Sequence, residues 1–272
     1  MTDDQSWIPE GVDRERPSIA RIYDFYLGGS HNLPADRAAG AKVVEVMPEL
    51  PDVMRVNRAF LRRCVRHLVS EGGIRNFLDL GSGIPTVGNV HEIAQDVDPA
   101  ARVVYVDSDP VAVAHSREIL AGNERALIVE GDLRDATAIL ADPEVNRLLL
   151  LGLGEPIALL MSAVLHFVPD DAEATALVKS YRDALAPGSY LLVSHAGRAP
   201  ATVQRATEAT EAYSRTVAPM KLRSIEDVTA MLEGFEIVDP GVVYCSQWRP
   251  NPGDDYAEAE PLPQICALAR KP

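Results

Sequence analysis

From residue 76 onward, this chain of 272 residues alternates short apolar runs with segments of helical spacing. Apolar, β-branched runs fall at Asn76–Leu80, 102–106, Ala126–Glu130, 157–162 and 190–194. Between them, apolar residues recur at helical intervals over 87–95, 111–121, 136–140 and 171–185, which predicts amphipathic helices. The runs are continuously apolar, so both faces of the strands are covered. Strand–helix repetition of this kind predicts an α/β fold built on a doubly wound, mostly parallel sheet. After 194 the rhythm changes. Helical stretches near 201–216 and 224–232 precede two late strands, 235–244 and 264–269. The segment between those strands, "WRPNPGDDYAEAEPLP", carries prolines and acids and predicts a surface connection.

The first 75 residues follow another pattern. Ile19, Ile22, Tyr23 and Tyr26 stand at i, i+3, i+4 and i+7, and Gly28-Gly29 follows. That spacing predicts a helix with a glycine stop. A second helix is expected from Pro34 to before Pro48, and a third over 52–70 with Phe60, Leu61, Cys64, Val65 and Leu68 on its apolar side. The expected organisation is a helical cap over 1–75 and a ligand-binding domain over 76–272. One run, 148–168, has the length of a membrane span. Glu155-Pro156 interrupts it behind two glycines, so it predicts an apolar segment, a turn and a buried strand instead.

Charge and cysteine content narrow the partners. Lys and Arg number 26 against 40 Asp and Glu, a formal net charge of −14. Proteins that track phosphates need a positive footprint, so neither nucleic acid nor a membrane surface is the expected partner. Cys64, Cys245 and Cys266 are widely spaced and odd in number, with no CxxC. Buried thiols in a reducing cytoplasm are expected, and no metal site. The polar, acidic N-terminus has no secretory signal.

The chemistry concentrates in the loop after the first strand, "NFLDLGSGIPTVGN". Gly81 and Gly83, around Ser82, let the backbone turn tightly and approach a ligand. A dinucleotide fingerprint has a third glycine for helix packing, but Thr86 stands there, and Pro85 is suited to open a helix. Asp79, at the strand end, repels a pyrophosphate and attracts an ammonium. An α-amino ligand fits better, namely the methionine part of S-adenosylmethionine. Asp107, followed by Ser108, ends the second strand and can accept from both ribose hydroxyls. Asp132 ends the third, where it can accept from an adenine amino group while Leu133 packs on the ring. Strand-end acids also cap helices, but three in succession point to a ligand.

These motifs, "FLDLGSG", "VVYVDSDP", "GDLRD", "AVLHFVPD" and "ALAPGSYLLVSH", resemble in this order a class I S-adenosylmethionine-dependent methyltransferase. With "RIYDFYLGGSHNLPADR", "NRAFLRRCVRHL" and "IPTVGNVHE" the chain is similar to the actinobacterial S-adenosyl methyltransferase family, formerly a domain of unknown function. The resemblance implies a seven-stranded Rossmann-like sheet whose last strand inserts antiparallel. It also implies Asp79, Gly81 and Gly83 at the methionine end, Asp107 at the ribose and Asp132 at the adenine.

His166, after the fourth strand, is the candidate general base toward the methyl end; the competing reading is that it only packs there. His195 is a weaker candidate. Tyr23, Tyr26, Gly28, Gly29 and Asn32 form a block whose glycines suggest close backbone approach, and Tyr26 and Gly28 are taken as cofactor contacts. Arg55, Arg58, Arg62 and Arg66 share a helix stripe, which pairing with the chain's own acids explains; Arg58 is the one expected near the pocket. The expected function is methyl transfer to oxygen or nitrogen of a small molecule. The alternatives are a non-catalytic S-adenosylmethionine-binding protein and a nucleotide-dependent oxidoreductase.

Overall fold

The computed structural model describes residues 8–85, 88–254, 256 and 260–272. Thr86 and Val87, the missing third glycine and the expected start of a helix, lie outside the described residues. Strands β1 (Asn76–Leu80), β2 (Arg102–Asp107), β3 (Ala126–Glu130), β4 (Ala158–Ser162) and β5 (Tyr190–Ala196) run parallel in the order β3-β2-β1-β4-β5. Strand β8 (Gln264–Arg270) lies antiparallel beside β5, in register from Tyr190 opposite Arg270 to Ala196 opposite Gln264. The expected strand over 235–244 is two short ones, β6 (Glu236–Ile237) and β7 (Val243–Tyr244), both paired with β8. Pro240 has no N–H to give a ladder and Gly241 turns the chain at φ +97°, so eight strands replace the expected seven. The chain steps outward from β1 to β3 and then returns to β4. That reversal opens a crevice at the carboxyl ends of β1 and β4.

Side chains alternate between the faces along each strand. Phe77 and Val103 join the stripe of α3 (Leu50–Ser70), together with Trp248 and residues of α4 (Val90–Val97) and α5 (Pro110–Ile119). Leu78 and Val104 face α6 (Ala136–Ala141), α7 (Pro143–Leu149), α8 (Asp171–Ala184) and α10 (Ile225–Met231). The apolar run 148–168 resolves into the end of α7, a 3₁₀ turn over Leu151–Leu153, and β4. No described helix is long and apolar enough to cross a membrane.

A third cluster unites α1 (Ile19–Tyr26) and α2 (Pro34–Val46) with α9 (Val203–Thr216), through Ile22, Tyr26, Val43, Ala206, Ala209 and Tyr213. The helical cap thus draws on a helix from far downstream, while α3, inside the first 75 residues, packs on the sheet. Buried Asp36 fastens the cap. Its carboxylate accepts from Ser18 N at 2.9 Å, Leu33 N at 2.7 Å and Arg21 Nε at 2.7 Å. The glycine pair has a local cause. Gly28 turns out of α1 at φ +78°, and a Cβ on Gly29 would stand 1.9 Å from Asp24 Oδ1. The close approach is to the chain's own carboxylate, which accepts from His31 N and Asn32 Nδ2.

Candidate cofactor groove and adjoining cavity

A groove of about 620 Å³ lies over the carboxyl ends of the strands. Asp79, Gly81, Ser82, Gly83, Asp107, Ser108, Asp132 and Leu133 all line it. The loop after β1 folds back because Gly81 N and Ser82 N both donate to Val106 O, at 2.8 and 3.1 Å. A Cβ on Gly81 would meet Val164 Cγ1 at 2.5 Å, whereas one on Gly83 would meet nothing within 4 Å. Gly81 therefore permits packing, and Gly83 holds a turn at φ +69° that other residues rarely adopt. The following helix starts at Val90, capped by Asn89 and Glu92, so Pro85 belongs to the loop and does not open it.

The three acids grade from buried to exposed. Burial pushes the Asp79 carboxyl up to about 7, with Arg58 opposing and Asp107 adding to the rise. Burial likewise lifts Asp107 to about 6, against the backbone N–H groups that hold it. Those donors are Gly83 N, 2.6 Å from Oδ2, and Asp109 N, 2.8 Å from Oδ1. Asp132 is half exposed and accepts from Arg134 N at 2.9 Å. The hydroxyl of Ser82 is buried without a hydrogen-bond partner. An unpartnered hydroxyl and two buried carboxyls lining one groove match the carboxylate and the ammonium of an amino-acid ligand, so the residues present fit the methionine part of S-adenosylmethionine.

Of the arginine stripe, Arg58 lines the groove and donates to Gly88 O at 2.7 Å. Arg55 pairs with Asp52 and Arg66 with Asp96. Residues 11–13 and 16–18 add a wall of the groove that the sequence did not reveal. They are held by a hydrogen bond from Ser18 Oγ to Asp109 Oδ2, on the residue that caps α5. No periodicity marks such a strap.

A smaller cavity of about 100 Å³ adjoins the groove, and Ile19, Tyr23, Ala163 and Phe167 line both. Tyr26 and His166 line only this second cavity, and Gly28 lines neither. Tyr23 Oη accepts from Asn57 Nδ2 at 3.0 Å; Asn57 Oδ1 accepts from Ser194 Oγ at 2.6 Å. Sequence reading passed over Asn57 because an asparagine on a helix stripe looks like any solvated residue. Burial first, then the charges of His195 and Arg223, hold His166 well below the usual imidazole range. Its Nδ1 accepts from Ala196 N at 3.3 Å, placing the ring proton on Nε2. His195 is fully buried, and burial lowers it to about 4. Its Nε2 accepts from Arg223 at 2.9 Å and its Nδ1 donates to Ala196 O at 2.8 Å, so it is a structural tie.

A doubly wound sheet with an antiparallel strand beside β5, and acids at the tips of β1, β2 and β3, defines the Rossmann-like methyltransferase class. The chain belongs to the S-adenosyl methyltransferase family, whose sequence profile matches residues 5–272; it is an S-adenosylmethionine-dependent methyltransferase. Its structure is similar to that of a putative methyltransferase from Thermobifida fusca, with 38% identity, coverage of 97% of this chain and 98% of that one, and a TM-score of 0.90. It is likewise similar to a DUF574 family protein from Streptomyces avermitilis, with 41% identity, 96% and 99% coverage, and a TM-score of 0.89. An O-methyltransferase family 2 protein from Planctomyces limnophilus shares the fold, at 16% identity over 92% of this chain and 65% of that one, with a TM-score of 0.51. A search of curated protein sequences finds no significant match.

Proposed function

We propose that the chain methylates an oxygen or nitrogen of a small molecule, with the cofactor laid along the strand tips. Asp132 and Leu133 hold the adenine, Asp107 with Ser108 the ribose, and Asp79, Gly81, Ser82 and Gly83 the amino-acid end. The acids step from β3 through β2 to β1, so the reactive end points toward the next strand, β4, and the residues after it. The bound cofactor supplies an electrophilic methyl group. The chain's own contribution is alignment of the acceptor and exclusion of water. Residues of the cap, α1 with α2 and α9, close the acceptor side, and the helical cap acts with the sheet as one site. His166 acts as a wall of that site. Its Nδ1 lone pair is engaged by Ala196 N–H and its Nε2 carries the proton, which leaves no lone pair for a general base.

The observation that carries this reading is the convergence of three strand-end acids on one groove containing a buried, unpartnered Ser82 hydroxyl. Titration calorimetry with S-adenosylhomocysteine, beside NAD, tests it. The homocysteine compound is expected to bind and NAD not to. Asp107→Ala loses the carboxylate that receives the ribose hydroxyls and is expected to weaken binding about a hundredfold, as two charge-assisted hydrogen bonds would. Unchanged affinity in that variant removes the ribose from Asp107.

A further inference from the structure

The small cavity has a chemistry of its own. Its walls are Met, Val, Leu, Ala and aromatic side chains from the cap, and no Lys, Arg, Asp or Glu is among the described residues that line it. At about 100 Å³ the space is smaller than the roughly 150 Å³ that holds benzene. It adjoins the groove at Ile19, Tyr23, Ala163 and Phe167, so it admits at most a single ring whose reacting end extends into the groove, and no fused system. Its polar groups are mostly occupied. Thr210 Oγ1 donates to Ala206 O at 2.7 Å, and His166 Nδ1 accepts from Ala196 N. Two groups remain. At the wall shared with the groove, Tyr23 Oη accepts from Asn57 and keeps its own proton to donate; burial raises its pKa, so that proton stays in place. Gln264 also lines the cavity, is 2% exposed, and its Nε2 has no hydrogen-bond partner. Buried amide donors are rarely left in this state without a ligand or water to receive them.

We propose that this cavity is the acceptor site, and that it takes a neutral, single-ring phenol carrying a second oxygen that receives the Gln264 amide. The proposal rests on the reading of the groove as the cofactor site. The ring fills the apolar space, and the hydroxyl to be methylated lies at the Tyr23 wall, where cavity and groove meet. In the transfer the oxygen–methyl bond forms as the sulfur–methyl bond breaks. Its electron pair stays on sulfur, and the phenolic proton leaves to solvent in the groove. A carboxylate on the ring is disfavoured, because no cation among the described residues lines the cavity to compensate its desolvation.

The test is titration calorimetry on protein saturated with S-adenosylhomocysteine, using 4-hydroxybenzaldehyde, 4-methylphenol and 4-hydroxybenzoate as probes. The aldehyde is expected to bind, and 4-hydroxybenzoate at least about tenfold more weakly. Gln264→Leu is expected to weaken the aldehyde about tenfold while leaving 4-methylphenol within about twofold. The same variant should melt higher by about 2 °C or more, since it removes an unpartnered buried donor; a structural glutamine would give the opposite shift. Met220→Trp, at a partly exposed wall position, should abolish binding of both neutral rings with the homocysteine affinity unchanged. Absence of any ring binding to the saturated protein, or equal binding by Met220→Trp, overturns the proposal. Failure of S-adenosylhomocysteine to bind would instead overturn the cofactor reading beneath it.

Discussion

Asp79 and Asp107 are carboxyls that a fold ordinarily avoids burying. Each ionises less readily here than in an unfolded chain, at about 7 and about 6 against an ordinary 3.8. Their contribution to stability is therefore present below pH 3.8 and is lost as pH rises through those two values. In the proposed binding mode cofactor affinity runs the other way, since the ionised form of Asp79 would hold the ammonium. Asp79→Asn is expected to melt somewhat higher than the wild type near pH 5 and by a larger margin near pH 8, when no ligand is present. The variant should also bind S-adenosylhomocysteine more weakly at pH 8 and lose most of the wild type's rise in affinity between pH 5 and 8. Parallel melting curves for the two proteins across that range would show that Asp79 does not resist ionisation. The place of Asp79 in the groove was legible because it ends the first strand of a doubly wound sheet, ahead of a glycine loop. Gly28 and Gly29 were not legible in the same way. A glycine required by a neighbouring carboxylate reads identically to one required by a ligand.

Among the elements, two helix starts share one chemical device, an aspartate followed by proline. Asp109-Pro110 and Asp142-Pro143 both open helices, with the aspartate accepting from the next turn's N–H groups. The second of these, α7, was still overlooked, because its apolar tail merges into the long run that continues to β4. The late strand was misjudged for a related reason. Its β-branched residues predict extension, and one proline divides it. Cap helices cannot hold their places by propensity, since α1 has only eight residues. They depend on Asp36, fully buried and bonded to α1, the start of α2 and the segment before them. Asp36→Ala leaves Arg21 charged in a site where it is 3% exposed. A loss of about 3–5 kcal/mol is expected, measured by denaturant unfolding. A loss under 1 kcal/mol would mean that the cap is held by its apolar contacts alone.

In the whole molecule the site belongs to no single segment of the chain. The groove takes residues from the strap, α1, α3 and the tips of four strands, so a ligand there joins the cap to the sheet. Hydrogen exchange is expected to slow over residues 11–23 when S-adenosylhomocysteine binds, with little change in β6 and β7. Uniform protection, or none near the strap, would separate the cap from the cofactor. This assembly explains which part of the site could be read beforehand. Asp79, Asp107 and Asp132 sit at strand tips, where topology alone brings them together. Tyr23, Asn57 and Gln264 meet only through packing of distant helices and strands, and spacing carries no trace of that.

The position of β8 has a consequence for how the protein is made. Strands β1 to β5 can pair as they leave the ribosome, but β5 then presents an open edge until residues 264–270 arrive. Some seventy residues of synthesis, at roughly 5–20 residues per second, separate the two partners. For those seconds the nascent sheet has an unguarded apolar margin of the kind that recruits other strands. Slower translation through α9 and α10 lengthens that exposure in proportion, and the arrival of β8 ends it.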